Sequence, residues 1–389
     1  MNTYTQNFLV IVVVVTLFVW WNRRKENFTI GMTRPLYRQC PNHPLTNVDA
    51  MAMQHMGLAP TERLEDPFNV YQFCGMTDAQ EELEKNWHVI QSKQGNIIVT
   101  GILGMNMLAA KNALWTLLKH KYGRMRALVY APETWSLHDP DDLAHLEHEL
   151  RNPQHGRTFI YKANRQRQEG LKLVKNVNVS EAKRDGYVVV QRILEDPYLI
   201  AGRKVNIRVY VLVLCTAGKL TVMLYQNGFV YYTKKPYAKH SMDSDAVITS
   251  GYVDRDVYKY NPLTLEDLFG YIERKEGDGK AQHLWKNIMF VTRGVIDAIR
   301  PHLCQKKSRD GVVFAQMFGA DFQLDSKLSA PKILELNKGA SATVMDERDG
   351  AVKSKLYVDL YQAASAALGE NGGFTDLQNG FQEIASWQN

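Results

Sequence analysis

A chain of 389 residues, 45% hydrophobic and 23% charged, has the composition of a globular protein with roughly two or three domains, which excludes a disordered or fibrous chain. The formal net charge of +6 suits an anionic ligand or an acidic partner, while the dispersed Lys and Arg residues, without an arginine-rich tail, give no case for nucleic acid. The four cysteines, Cys40, Cys74, Cys215 and Cys304, have neither CxxC nor Cys/His spacing, which argues against zinc; their scarcity points to a reducing compartment, with an oxidised pair left open.

The chain starts with NFLVIVVVVTLFVWWNRRK, an apolar run from Phe8 to Trp21 broken only by Thr16. It covers about 21 Å as a helix against a hydrocarbon core of about 30 Å. Adding Tyr4 and Thr5 makes a thin span with Trp20 and Trp21 at the interface. No basic segment precedes the run and no small-residue cleavage site follows it, which argues against a cleaved signal peptide; a strand or a buried helix is the competing reading. Arg23, Arg24 and Lys25 all follow the run. The expectation is a single-pass membrane anchor through residues 8–21, within a segment 1–25, and the bulk of the chain on the cytosolic side.

Residues 26–94 are rich in Pro, Asn and polar residues with weak periodicity and read as a linker and irregular lead-in. From Ile97 to Leu103, IIVTGIL reads as a buried strand, KNALWTLLKHKY as a helix, and ALVYAPETWSL as a strand with a turn at Pro132, so residues 95–150 form an α/β subdomain. Residues 151–370 hold the strand-like segments TFIYK, YVVVQRI, KVNIRVYVLVLC, KLTVMLYQ, GADFQLD and KILELN, and a helix over about His283 to Leu303. Residues 371–389 form a tail.

The chemistry gathers in these strands. In KVNIRVYVLV, Val205, Ile207, Val209, Val211 and Val213 make one apolar face, and Lys204, Asn206 and Arg208 share the other. Glu335 and Asn337 share a face of KILELN, and Asp321 stands opposite Phe322 and Leu324 in GADFQLD. Two carboxylates and a carboxamide oxygen are hard ligands suited to Mg2+, which also bridges to phosphates. Taken singly, either carboxylate reads more plainly as half of an ion pair. Lys162, followed by the polar loop ANRQRQEG with Gly170, has the form of a phosphate loop with a single glycine. By itself it is an ordinary basic loop, and Gln191 at the end of YVVVQ is an ordinary strand-end glutamine.

In series these pieces resemble the tubulin–tyrosine ligase-like family. DGYVVVQRILEDPYLIAGRKVNIRVYVLV is similar to the family's Q-K-Y-I and G-R-K-F-D-I-R run, and LYQNGF, VITSGYV, FGADFQLD, ILELN and PETWSL follow the family's other motifs over roughly residues 95 to 362. The resemblance implies an α+β protein of ATP-grasp fold, with ATP held between two α+β subdomains, here preceded by the N-terminal hydrophobic helix. It also implies a ligase that joins a free amino acid to a protein carboxylate through an acylphosphate, with ATP and Mg2+ as cofactors and an acidic protein such as tubulin as partner. Carried over by position, Lys162, Gln168, Gln191, Arg192, Lys204 and Thr249 hold the nucleotide, with Arg192 to Leu194 contributing backbone to the adenine. Lys204, Asn206 and Arg208 are the catalytic wall, and Asp321, Glu335 and Asn337 hold the metal.

The departures fall on the shell that would choose the amino acid and orient the acceptor. The family's aspartate is Asn206 and its arginine after E-G is Tyr231, with Lys234 and Lys235 as nearby substitutes. The family's H-L-T-N becomes Val247 to Ser250, and the phosphate loop keeps only Gln168 and Gly170. The alternative is therefore a catalytically degenerate, membrane-tethered nucleotide-binding scaffold for an acidic protein partner.

Overall fold

The computed structural model describes residues 35–39, 47–72, 79–105, 110–151, 157–164, 170–305, 308–369 and 379–388. Four short strands, β1 (Leu36–Arg38), β2 (Ala59–Thr61), β3 (Val70–Gln72) and β4 (Ile97–Thr100), run parallel in the order β2-β1-β3-β4. They are linked by the helices Asn47–His55 and Ala79–Ser92. Next come β5 (Thr134–Ser136), β6 (Phe159–Ala163), β7 (Leu171–Val174) and β8 (Tyr187–Arg192), an antiparallel sheet of order β5-β8-β6-β7. It has its own small core of Trp135, Leu137, Leu146, Phe159, Tyr161, Ala182 and Val190.

The remaining strands are β9 (Leu199–Ile200), β10 (Arg203–Thr216), β11 (Lys219–Thr233), β12 (Thr249–Ser250), β13 (Val312–Gln323), β14 (Lys332–Asn337) and β15 (Phe381–Gln388). They join the parallel strands in one eleven-stranded mixed sheet, in which β13 pairs with β10 on one side and with both β4 and β14 on the other. β10 and β11 form a long hairpin closed at Ala217-Gly218, where Gly218 takes φ 82°. The alternation read from the sequence holds in β10: Val205, Ile207, Val209, Val211 and Val213 are fully buried. The helix Lys280–Ile299 covers the sheet with the 3.6-residue stripe Leu284, Ile288, Val291, Val295 and Ile299. It stops short of the expected Leu303 and ends in a tight turn, Arg300–His302. The mixed α+β layout agrees with an ATP-grasp-like arrangement.

Several expectations need correction. No helix among the described residues is long and apolar enough to cross a membrane, and residues 8–21 lie outside those residues. The N-terminal hydrophobic helix, the membrane anchor and the orientation drawn from it are therefore dropped. The lead-in is not irregular: residues 36–92 supply three strands and two helices to the main sheet and its cover. In the tail, β15 pairs along β11 from Lys219 to Tyr225. Finally, Cys215 at the end of β10 and Cys304 form a disulfide with Cα atoms 5.9 Å apart, so it is the oxidised pair, not the reducing reading, that the structure carries.

Candidate active site

The polar face of β10 looks toward the smaller sheet, whose Lys162 on β6 interacts electrostatically with Lys204, Asp321 and Glu335. In register, Arg208 on β10 lies opposite Asp321 on β13, and Asp321 lies opposite Glu335 on β14. Three strands thus deliver one cation and two carboxylates in a row across the sheet. A bulge helps to aim the last of them: Phe322 pairs with Ile333 but Asp321 pairs with Glu335, so Leu334 is the extra residue. Asn337 comes opposite Gly319 in the next row.

Arg208 grips Asp321 with two N–H groups, Nε to Oδ1 and Nη2 to Oδ2, the latter at 2.8 Å. Its stem lies over Gly319, where a Cβ would come within 3.0 Å of Nη1 and 3.1 Å of Cδ. The guanidinium also stands 5.5 Å from the centre of the Tyr231 ring. Asn337 Nδ2 donates to Glu335 Oε1 at 3.1 Å and to Asp321 Oδ2 at 3.4 Å. Glu335 Oε2 accepts from Lys111 Nζ, and the Lys111 backbone N–H donates to Asn164 Oδ1 at 2.8 Å, just beyond the end of β6.

Lys162 and Lys204 are both buried polar residues. Burial brings the Lys162 ammonium down to about 8, with Lys111 adding repulsion while Glu335 and Asp321 pull the other way. Burial brings Lys204 down to about 7, and Lys162 adds to the shift. The two carboxylates diverge. Burial raises Asp321 to about 6 against the pull of Arg208. Burial also works against the Glu335 carboxylate, but Lys111 and Lys162 overcome it and hold the group at about 2. Four basic side chains therefore surround two acidic ones, an excess of positive charge in a low-dielectric cleft, as a polyanionic ligand requires. Two carboxylates and an amide oxygen are hard donors of the kind Mg2+ takes. No group of three His, Cys, Asp or Glu that could hold a metal ion by itself occurs among the described residues, so phosphate oxygens or water would have to complete the shell.

Not every expected residue joins this cluster. Gln191 is buried on β8 with its Nε2 on Thr134 Oγ1 at 2.8 Å, so the segment PETWSL orients it. The Arg192 side chain turns away, to Glu133 and Glu149 at 2.9 Å each. The backbone N–H groups of Arg192 and Ile193 bond the carbonyls of Glu133 and Thr158, which removes them as donors to a base. Thr249 is on β12, paired with Thr233 at the far side of β11 from β10. Gln168 lies outside the described residues. Lys234 and Lys235 sit on Asp245 and Asp243, at 3.4 and 2.8 Å, so neither fills the place that Tyr231 takes. Asn206 is buried among the cleft residues with no hydrogen-bond partner for its Oδ1.

Three contributors escaped the sequence reading. Lys111 was absorbed into a helical pattern that it only precedes, since the helix runs Ala113–Tyr122. Gly319 is needed for its missing side chain. Gln323 ties β13 to the strand end beyond β8 through Nε2 and the Leu194 carbonyl at 3.3 Å. Of the three, the G-x-D run around Asp321 was the available signal for Gly319 alone.

The profile of the tubulin-tyrosine ligase family matches residues 90–370. Among curated proteins, a probable tubulin polyglutamylase of Rattus norvegicus, TTLL9, is 28% identical over 177 residues, covering 44% of this chain and 37% of that protein. The tubulin polyglutamylase TTLL6 of Mus musculus is 25% identical over 276 residues, 66% of this chain and 32% of the relative. A probable alpha-tubulin polyglutamylase of Tetrahymena thermophila, Ttll1, is 26% identical over 268 residues, with 63% and 62% covered. The chain thus spans about a third to three fifths of the length of these relatives.

Proposed function

The chain belongs to the tubulin-tyrosine ligase family, and we propose that its cleft is the active site of an ATP- and Mg2+-dependent ligase that joins a free amino acid to a carboxylate of an acidic protein, with tubulin the first acceptor to test. The observation that carries this reading is the row Arg208, Asp321 and Glu335, with Asn337 beside it and four basic side chains around two acids.

In such a ligase the acceptor carboxylate takes the γ-phosphoryl group of ATP, and the amine of the amino acid then displaces phosphate from the acylphosphate. Asp321, Glu335 and the Asn337 carboxamide would hold Mg2+, which supplies charge neutralisation at the phosphoryl oxygens. The chain's own groups meet the rest of the demand. Lys162 and Lys204 face the polyanion from opposite sheets, where burial makes each cation effective. Arg208, fixed on Asp321 and over Gly319, is pre-organised for a carboxylate or phosphate oxygen. Gln191 and the segment after it border the adenine end.

The test is to supply ATP, Mg2+, labelled amino acids and tubulin. ADP release with labelled acceptor is expected, falling at least about a hundredfold in Asp321→Ala or Glu335→Ala. Tight Mg·ATP binding without turnover under any combination would instead support a nucleotide-binding family member that has lost catalysis, the reading favoured by the unpartnered Asn206 Oδ1.

A further inference from the structure

Every carboxylate oxygen in the cleft faces an N–H donor. Asp321 gives both oxygens to Arg208, and Glu335 receives Lys111 on Oε2 and Asn337 on Oε1. A divalent cation binds through the same lone pairs, so these donors stand where it must enter. They differ in how they can yield. Asn337 needs only to rotate its amide, which exchanges a donor for the carbonyl oxygen a metal wants. Arg208 is held by its two bonds, by the cradle at Gly319 and by the Tyr231 ring, and it stays on Asp321 while the remaining lone pairs serve the metal.

Lys111 has no such restraint on its head group. Its Nζ is paired with Glu335, and the side chain is partly open to solvent. Its backbone is the fixed part: the N–H is held by Asn164, just past the end of β6. The result is a flexible stem with a strongly hydrated point charge at its tip, rooted where three pieces of the fold converge. Those pieces are the loop after β4, the end of β6 and the end of β14. An ammonium and a divalent cation repel each other and cannot share one carboxylate oxygen.

We propose that Lys111 is a placeholder for the metal: its ammonium neutralises Glu335 while no divalent cation is bound, and it passes to the anionic substrate when the cation takes Glu335. The inference rests on the metal-dependent ligase reading above. It makes Lys111 both a guard against an uncompensated buried carboxylate in the empty cleft and an anion-binding residue in the loaded one. No bond is made or broken; one ion pair is exchanged for two.

The test compares thermal unfolding of the wild type and Lys111→Met in EDTA and in saturating Mg2+ without nucleotide. In EDTA the variant is expected to melt several degrees lower, because Glu335 loses its counter-charge. With Mg2+ alone most of that gap should close. Mn2+ titration of the nucleotide-free protein, followed by electron paramagnetic resonance, should show about tenfold tighter binding in the variant. A gap that persists unchanged in both conditions would make Lys111 a structural clip and overturn the proposal, as would weaker Mn2+ binding. If Lys111→Met folds poorly, the same substitution in a Glu335→Gln background decides. There the EDTA penalty should vanish, and its persistence would again overturn the proposal. A wild type that shows no shift with Mg2+ or Mn2+ would remove the metal reading itself, an outcome distinct from a metal-responsive wild type with a constant gap.

Discussion

Lys204 is the residue on which the electrostatics of the cleft turn. A buried ammonium brought down to about 7 is only partly charged near neutrality, and a polyanion placed beside it draws the proton back. Nucleotide binding at about pH 8 should therefore take up about one proton, measured by calorimetry in buffers of different ionisation enthalpy, and Lys204→Met should remove most of that uptake. Affinity should fall as the pH rises past 7 to 8, the range set by Lys204 and Lys162. The empty protein has the opposite slope. The unfolded chain holds this proton up to about 10.4, so between about pH 7 and 10 it binds more protons than the folded chain does. Stability from this group rises over that window, and it is lost as the pH falls through 7. Asn206 lies on the same face two residues on. Asn206→Asp would place a carboxylate beside Lys204 and move the proton uptake to higher pH; a rise in turnover in the same variant would identify the neutral amide as what limits catalysis.

At the scale of elements, two glycines separate what the strands need to fold from what the cleft needs to work. A Cβ at Gly228 on β11 would collide with the Arg208 carbonyl oxygen, which is backbone of the neighbouring strand. Gly228→Ala should thus cost about 1–3 kcal/mol of stability, read as a lower midpoint in urea. The three atoms nearest to a Cβ at Gly319 all belong to the Arg208 side chain. Gly319→Ala should displace the guanidinium from Asp321, which lowers the midpoint by exposing a buried carboxylate without its partner and, unlike Gly228→Ala, also weakens ligand binding; ligand binding equally intact in both variants would contradict this division. The strands that carry these residues were legible because each keeps one face polar and the other in the core. Period two therefore exposed Lys204, Asn206 and Arg208, and likewise Glu335 and Asn337. The bulge at Leu334 was not legible, since one extra residue leaves no mark on composition. Nor was Lys111, whose role comes from a contact with Glu335 across 224 positions of sequence. The Arg192 side chain is held by Glu133 and Glu149, a pairing that no pattern in Q-R-I predicts, so only its backbone is left for the nucleotide role expected from the sequence.

For the whole molecule, the largest misreading was the region before β4, and it is also where the fold depends on distant sequence. β1, β2 and β3 are three residues each, with Tyr37, Val70 and Tyr71 buried. A three-residue strand is too short for alternation to register, so the segment looked like a linker. In the structure β3 covers the edge of β4, and the helix Asn47–His55 packs on the helix Glu347–Ala367. Arg38 Nη1 meets Glu82 Oε1 at 3.0 Å, and Tyr71 donates to the same oxygen at 2.8 Å. Ala52, Met53, Phe68, Leu83 and Ile90 belong to the same core as β10 and β13. A chain begun at residue 95, where a compositional boundary would put it, should therefore lose cooperative unfolding and expose apolar surface to a hydrophobic dye, because β4 would become a bare edge under an uncovered helix. Tyr71→Ala in the full chain is the milder version and should cost about 3–5 kcal/mol. The same variant should also weaken Mg·ATP binding if β4 transmits its position to Lys111. Cooperative melting of the chain begun at 95, with ligand binding intact, would show that the parallel strands are a separate unit and not part of the frame that holds the cleft.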